Sequence, residues 1–173
     1  MTAEELLQRY AAGERDFSGV HFNRGVHLED AEIPGINLSD AVLFRAHLNR
    51  ANLSGSNLSN TNLGGAWLEG ANLSGANLSH AVISDGVLAE ANLSGADLSY
   101  ADLTECALSE ANLTGANLTG TIMGSPLLVG ANLTDVDLSQ ASISLLDGIE
   151  SRRIEGAILH NTTLPDGSKV NFS

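Results

Sequence analysis

From Leu28 to Ile143 every fifth residue is apolar, and this regularity constrains the fold more than any other feature of the chain. Of these 24 positions, 20 are Leu, three are Ile and one is Met123. Two residues before each stands a small side chain, Ala in 15 of the 24, as in Ala51-Asn52-Leu53-Ser54-Gly55. A period of five fits neither the 3.6 of a helix nor the 2 of a strand. It suits short extended segments separated by turns, each sending alternate side chains, Leu and Ala, inward. One segment buries nothing by itself, so successive coils of chain must stack as a solenoid.

The residue just before each apolar centre sets the size of a coil. Taking every fourth unit, the first class reads Glu32, Asn52, Asn72, Asn92, Asn112, Asn132, and the second reads Asn37, Asn57, Asn77, Asp97, Asn117, Asp137. The third is mixed: Val42, Asn62, Val82, Asp102, Ile122, Ser142. The fourth holds neither Asn nor Asp: His27, His47, Trp67, Val87, Ala107, Leu127. Gly35, Gly55, Gly75, Gly95 and Gly115 all fall two residues after a first-class centre, which suits a corner with positive φ. A period of twenty therefore overlies the five, and the coil has four sides.

These residues resemble the consensus of the pentapeptide-repeat family, Ala-(Asn/Asp)-Leu-(Ser/Thr)-X, over about residues 15–164. The resemblance implies an all-β fold, a right-handed quadrilateral β-helix; the handedness comes from the family alone. Some members resemble a DNA duplex in shape and charge and bind DNA gyrase. Those tend to be longer rods with more Phe centres than this chain carries.

The expected organisation is a capping helix over 1–14, a β-helix over 15–145 and an irregular final coil and tail over 146–173. Thr2-Ala3-Glu4-Glu5 reads as a capping box, with the helix ending at Gly13. Its stripe of Leu6, Leu7 and Tyr10 should cover the open first coil. Phe17 and Phe22 precede Leu28 out of step, so one residue near Gly25 is extra, as in a bulge. After Ile143 a set of Ile149, Ile154, Leu159 and Leu164 resumes one residue late, making Leu145–Ser151 a loop and Pro165-Asp166-Gly167 a terminal turn.

Charge and composition narrow the function classes. Between Ala51 and Ser151 there is no Lys or Arg, against eleven acidic residues, within a net charge of −13. Such a shaft repels nucleic acid, so direct nucleic-acid binding is not expected. Neither a membrane span nor a secretory leader is evident, and a cytoplasmic protein is expected. The lone Cys106 sits in a small-residue slot and reads as a buried structural thiol.

No nucleotide-binding glycine loop, metal-ligand cluster or nucleophile-base motif stands out, so neither enzyme activity nor a cofactor is expected. His27 and His47 should stack on adjacent coils; with no third ligand evident they read as exposed imidazoles, not a metal site. His21, His80 and His160 read as surface residues. The fourth side is the candidate for binding a protein partner, with Phe44 and Trp67 as anchors and His47, Val87 and Leu127 beside them. A rival is an acidic ridge of Glu69, Asp85, Glu90, Asp102, Glu105 and Glu110, which would serve a DNA mimic acting on a topoisomerase such as gyrase.

Overall fold

The computed structural model describes residues 1–22, 25–143 and 152–172, and it forms a repeat β-helix preceded by one short helix. Along the rod each residue before a centre forms a parallel bridge with the residue twenty further on: Asn52 with Asn72, Asn57 with Asn77, Asn62 with Val82, Trp67 with Val87. Four five-residue units therefore make one coil. Leu53 N–H donates to the Asn72 carbonyl (2.8 Å), and Asn72 N–H donates back to the Ala51 carbonyl (2.9 Å). Gly55 N–H, at the corner, donates to the Ser74 carbonyl (2.9 Å), so corners as well as sides are tied along the axis.

Most corners are turns closed by a bond such as Ala51 N–H to the Leu48 carbonyl (3.0 Å), with the third residue at positive φ. This conformation is not confined to the glycine column. Arg45, Arg50, Asp85, Glu90, Glu105 and Glu110 hold φ between 55° and 60°. Type II geometry imposes it at these corners, and side chains with a Cβ accept its cost of about 1–2 kcal/mol.

The core is a stack of leucines with alanines between them. The centres from Leu28 to Leu138 are buried, and Ile143, at the end of its column, is partly buried. Each buried Leu contributes about 1.5–3 kcal/mol against chain entropy, which lets a rod poor in aromatics hold together. Where Thr replaces Ala in the small slot its hydroxyl is bonded: Thr61 Oγ1 donates to the Leu38 carbonyl and Thr121 Oγ1 to the Leu98 carbonyl, each at 2.8 Å.

Helix α1 spans Ala3–Ala11 and carries the expected capping box, Thr2 N–H to Glu5 Oε2 (2.7 Å) and Glu5 N–H to Thr2 Oγ1 (3.1 Å). Leu6 is fully buried against the first coil, and Tyr10 donates its hydroxyl to the Pro34 carbonyl (2.8 Å). Leu7 departs from expectation: it faces solvent, because its neighbour Leu6 takes the inward direction and successive helical residues lie 100° apart.

Both ends of the rod break register. Asp16 bridges Asn37 and His21 bridges Val42, each 21 residues on, whereas His27 bridges His47, so one extra residue lies between His21 and His27. At the far end strand β1 (Ile122–Gly124) pairs with β2 (Ser142–Ile143), Ile122 with Ser142 at the step of twenty and Gly124 with Ile143 after a one-residue shift. The fourth side then changes. Leu128 N–H donates to the Arg153 carbonyl (2.6 Å), and Asn132 bridges Ile158, 26 residues on. Six residues are therefore extra, and Ile154, not Ile149, follows Leu128 in its column. Ile149 and the expected Leu145–Ser151 loop lie outside the described residues.

A 3-10 turn at Arg152–Ile154 leads into β3 (Leu159–Thr163), which turns through Pro165-Asp166-Gly167 into β4 (Lys169–Phe172). Strand β4 runs antiparallel to β3 on the edge that faces away from the rod, and so covers the last coil over its first two sides. Among the described residues no helix is long and apolar enough to cross a membrane.

Candidate interaction face

The side chain before each centre points outward, and on the first two sides it has a structural task. Asn52 Oδ1 accepts from Ser54 N–H (3.2 Å) and Ser54 Oγ (2.8 Å), and Asn72, Asn77, Asn112 and Asn132 bond their own +2 residues in the same way. Asn72 Nδ2 also donates down the column to Asn52 Oδ1 (3.3 Å). Asp102 on the third side does the same for Thr104, so its carboxylate is occupied within the turn. On the fourth side Val87, Ala107 and Leu127 have no atom with which to make this bond. Those three coils forgo a hydrogen bond worth about 0.5–1.5 kcal/mol, whereas on the Trp67 coil the Glu69 N–H donates to Asn49 Oδ1 (3.0 Å).

What the fourth side carries instead is a ladder. His27 stacks on His47 (centroids 4.3 Å apart, planes 21° apart), and His47 meets Trp67 (5.1 Å, 43°). Val87, Ala107 and Leu127 continue the column. Trp67 is 52% exposed and Leu127 38%, and on the adjoining third side Ile122 is 50% exposed. Phe44 lies at the corner between those two sides. It is half-buried, and a Cβ at Gly64 would come within 3.3 Å of its ring, so it lies flat along the rod beneath Arg45.

Two corner columns border the fourth side, and they change in parallel from coil to coil. After Gly25 and Asp30 on the opening coil come Arg45 and Arg50, then Gly65 and Gly70, then Asp85 and Glu90, then Glu105 and Glu110. The Arg45 and Arg50 stems lie along the corners, 3.3 and 3.5 Å from where side chains at Gly65 and Gly70 would begin. Trp67 thus stands between two glycine corners, and Glu69 beside it is exposed. The acidic residues proposed from sequence fall into two borders separated by the apolar column, with Asp102 apart from both.

Sequence reasoning passed over three participants. Arg153 follows Leu127 in the fourth-side column, and its Nη1 donates to the Ser125 carbonyl (2.6 Å). With Glu105, Ala107, Ser125 and Leu127 it lines a shallow depression of about 210 Å³. The six-residue offset hid this placement. Tyr100, on the corner between the second and third sides, is exposed, stacks on His80 (5.1 Å, 10°) and lies across Gly120. The third is Glu29, whose Oε1 lies 2.9 Å from His27 Nδ1 and 3.6 Å from His47 Nδ1. The two imidazoles thus do have a third ligand-type group beside them, contrary to expectation. Its identity as a residue two after His27, on the same face of an extended segment, was the available signal. Cys106 is inert as expected of a buried thiol: its Sγ donates to the Ile83 carbonyl (3.2 Å), and burial pushes its pKa up to about 12.

The sequence pattern described as pentapeptide repeats (8 copies) matches residues 24–60, 56–86 and 87–124. The chain belongs to the pentapeptide-repeat family. HetL, a pentapeptide repeat protein involved in heterocyst differentiation regulation in the cyanobacterium Nostoc sp. strain PCC 7120, is 27% identical over 98% of this chain and 100% of its own, with a TM-score of 0.27. A second Nostoc pentapeptide repeat protein is 28% identical over 90% of this chain and 95% of its own, with a TM-score of 0.33. Full-length QnrB1, a plasmid-mediated fluoroquinolone resistance protein, is 18% identical over 82% of this chain and 90% of its own, with a TM-score of 0.49. No curated protein matches the sequence. None of the three superposes closely enough to carry a function across.

Proposed function

We propose that this chain is a non-enzymatic interaction module, a right-handed quadrilateral rod that binds a protein partner through its fourth side. Trp67 is the central anchor, with His47, Val87 and Leu127 along the column and Phe44 at the corner. One observation carries the reading. The two Asn-rich sides spend their outward residues on turn hydrogen bonds, whereas the fourth side carries outward apolar groups, of which Trp67 and Leu127 are exposed and Val87 and Ala107 partly buried. An outward apolar column with large exposed side chains suits an interaction surface. The carboxylates of Asp85, Glu90, Glu105 and Glu110 on both borders suit a partner with an apolar centre flanked by basic groups. The test is capture from the source organism's extract. Wild-type protein should retain a partner that the Trp67→Ala, Phe44→Ala double variant loses while its β-helix circular dichroism is unchanged. Equal capture by the double variant would reject the fourth side.

The second reading, an acidic DNA mimic binding a topoisomerase such as gyrase, is favoured by the shaft from Ala51 to Ser151 that contains no Lys or Arg. Its test is DNA gyrase supercoiling. Inhibition that weakens as salt rises would support it, and supercoiling unaffected at any salt would remove it.

A further inference from the structure

We propose that His27, Glu29 and His47 form a surface site for a divalent transition-metal ion of the zinc class. The three side chains offer two imidazole nitrogens and a carboxylate oxygen, all within 4.8 Å of one another, and they are the one such group among the described residues. A tetrahedral zinc ion takes His nitrogen and carboxylate oxygen at about 2.0–2.2 Å, which sets neighbouring ligand atoms roughly 3.3–3.5 Å apart. Here Glu29 Oε1 lies 2.9 Å from His27 Nδ1 and 3.6 Å from His47 Nδ1, and binding would require the stacked imidazoles to turn until their in-plane lone pairs converge on the ion.

The backbone beneath is already fixed. His27 and His47 are parallel bridge partners, with Leu28 N–H donating to the His47 carbonyl (2.8 Å) and His47 N–H donating to the Val26 carbonyl (2.9 Å). Gly25 leaves room at the other edge of the His47 ring, where an added Cβ would lie 3.7 Å from Nε2. His27 is 70% exposed, which leaves the remaining coordination position open to water or to a donor from outside the chain. Two nitrogens and one carboxylate oxygen with an open position suit zinc better than the all-oxygen preference of magnesium or calcium. The proposal does not depend on the partner-binding reading, because it concerns the ion alone.

The test is isothermal titration of untagged full-length protein with zinc sulfate, followed by cobalt substitution. One ion per chain is expected, with the intense visible bands of tetrahedral cobalt. His47→Ala and Glu29→Gln should each weaken zinc binding by more than the roughly 10–100-fold that loss of an outer-shell partner costs. His80→Ala, on another corner, should bind as wild type does. All of these residues point outward, and unchanged circular dichroism would verify that the variants fold. No heat of binding in the wild type, or equal affinity in wild type, His47→Ala and Glu29→Gln, would overturn the site.

Discussion

Trp67 leans on His47, with ring centroids 5.1 Å apart and planes 43° apart, and more than half of the indole surface remains open to solvent. It is a large aromatic side chain that the rod presents and does not need. Aromatic pairs contribute about 0.5–1.5 kcal/mol, so Trp67→Ala is expected to cost about 1 kcal/mol or less. For a chain of this size that corresponds to roughly 2–4 °C in Tm. A loss several times larger on thermal unfolding would make Trp67 a structural residue.

The small-residue slots predict opposite effects for two hydroxyls. Thr61 Oγ1 is buried and bonded to the Leu38 carbonyl, whereas buried Ser56 Oγ has no hydrogen-bond partner among the described residues. Thr61→Ala is expected to lower stability by about 1 kcal/mol, and Ser56→Ala to raise it by a similar amount. Denaturant midpoints measured side by side decide the matter. A destabilised Ser56→Ala would mean that this hydroxyl is satisfied.

Much of this was legible because the repeat is redundant. Any one Leu could be a helix or a strand residue, but Leu53, Leu73 and Leu93 in step, each with its Asn, leave only stacked coils. The corners were less legible. Glycine marks a positive φ, but Glu90 and Arg50 adopt it too, at a cost the axial hydrogen bonds cover. Leu7 was misplaced because Leu6-Leu7 looks like a stripe until the helix is wound. Arg153 was hidden because an offset of one residue and an offset of six leave the five-residue rhythm identical. Glu29 looked like an ordinary solvating charge, and only the pairing of His27 with His47 gave it neighbours.

The N-terminal helix should act as a cap. Removing residues 1–13 takes away buried Leu6 and the Tyr10 bond to Pro34, and exposes the first coil as an unpaired edge. Light scattering should then register concentration-dependent association with the central coils still folded. A truncated protein that stays monomeric at high concentration would show the cap to be dispensable.

Acid should weaken the rod. Hydrogen bonds from Arg9, Arg50, His27 and Ser18 hold the carboxyls of Glu14, Asp30, Glu29 and Asp16 below their ordinary values. Because the folded values lie below the unfolded ones, this contribution is complete above the ordinary values of 3.8 for Asp and 4.5 for Glu. It is lost as pH falls through the folded values. All four groups are exposed, so each effect is small. The Tm difference between wild type and Arg50→Met should shrink from about pH 7 to about pH 2.5. A difference independent of pH would detach the Asp30 pair from stability.

The claim that the fourth side is the working surface is tested most directly by the dissociation constant of the captured partner for two variants. A central aromatic anchor contributes about 2 kcal/mol or more, which corresponds to a loss of roughly thirtyfold or greater for Trp67→Ala. Glu90→Gln with Glu110→Gln, at the rim, should change the constant far less and mainly through the association rate. An unchanged constant for Trp67→Ala, with binding lost in the Glu90, Glu110 double variant, would contradict the account and give the function to the carboxylates.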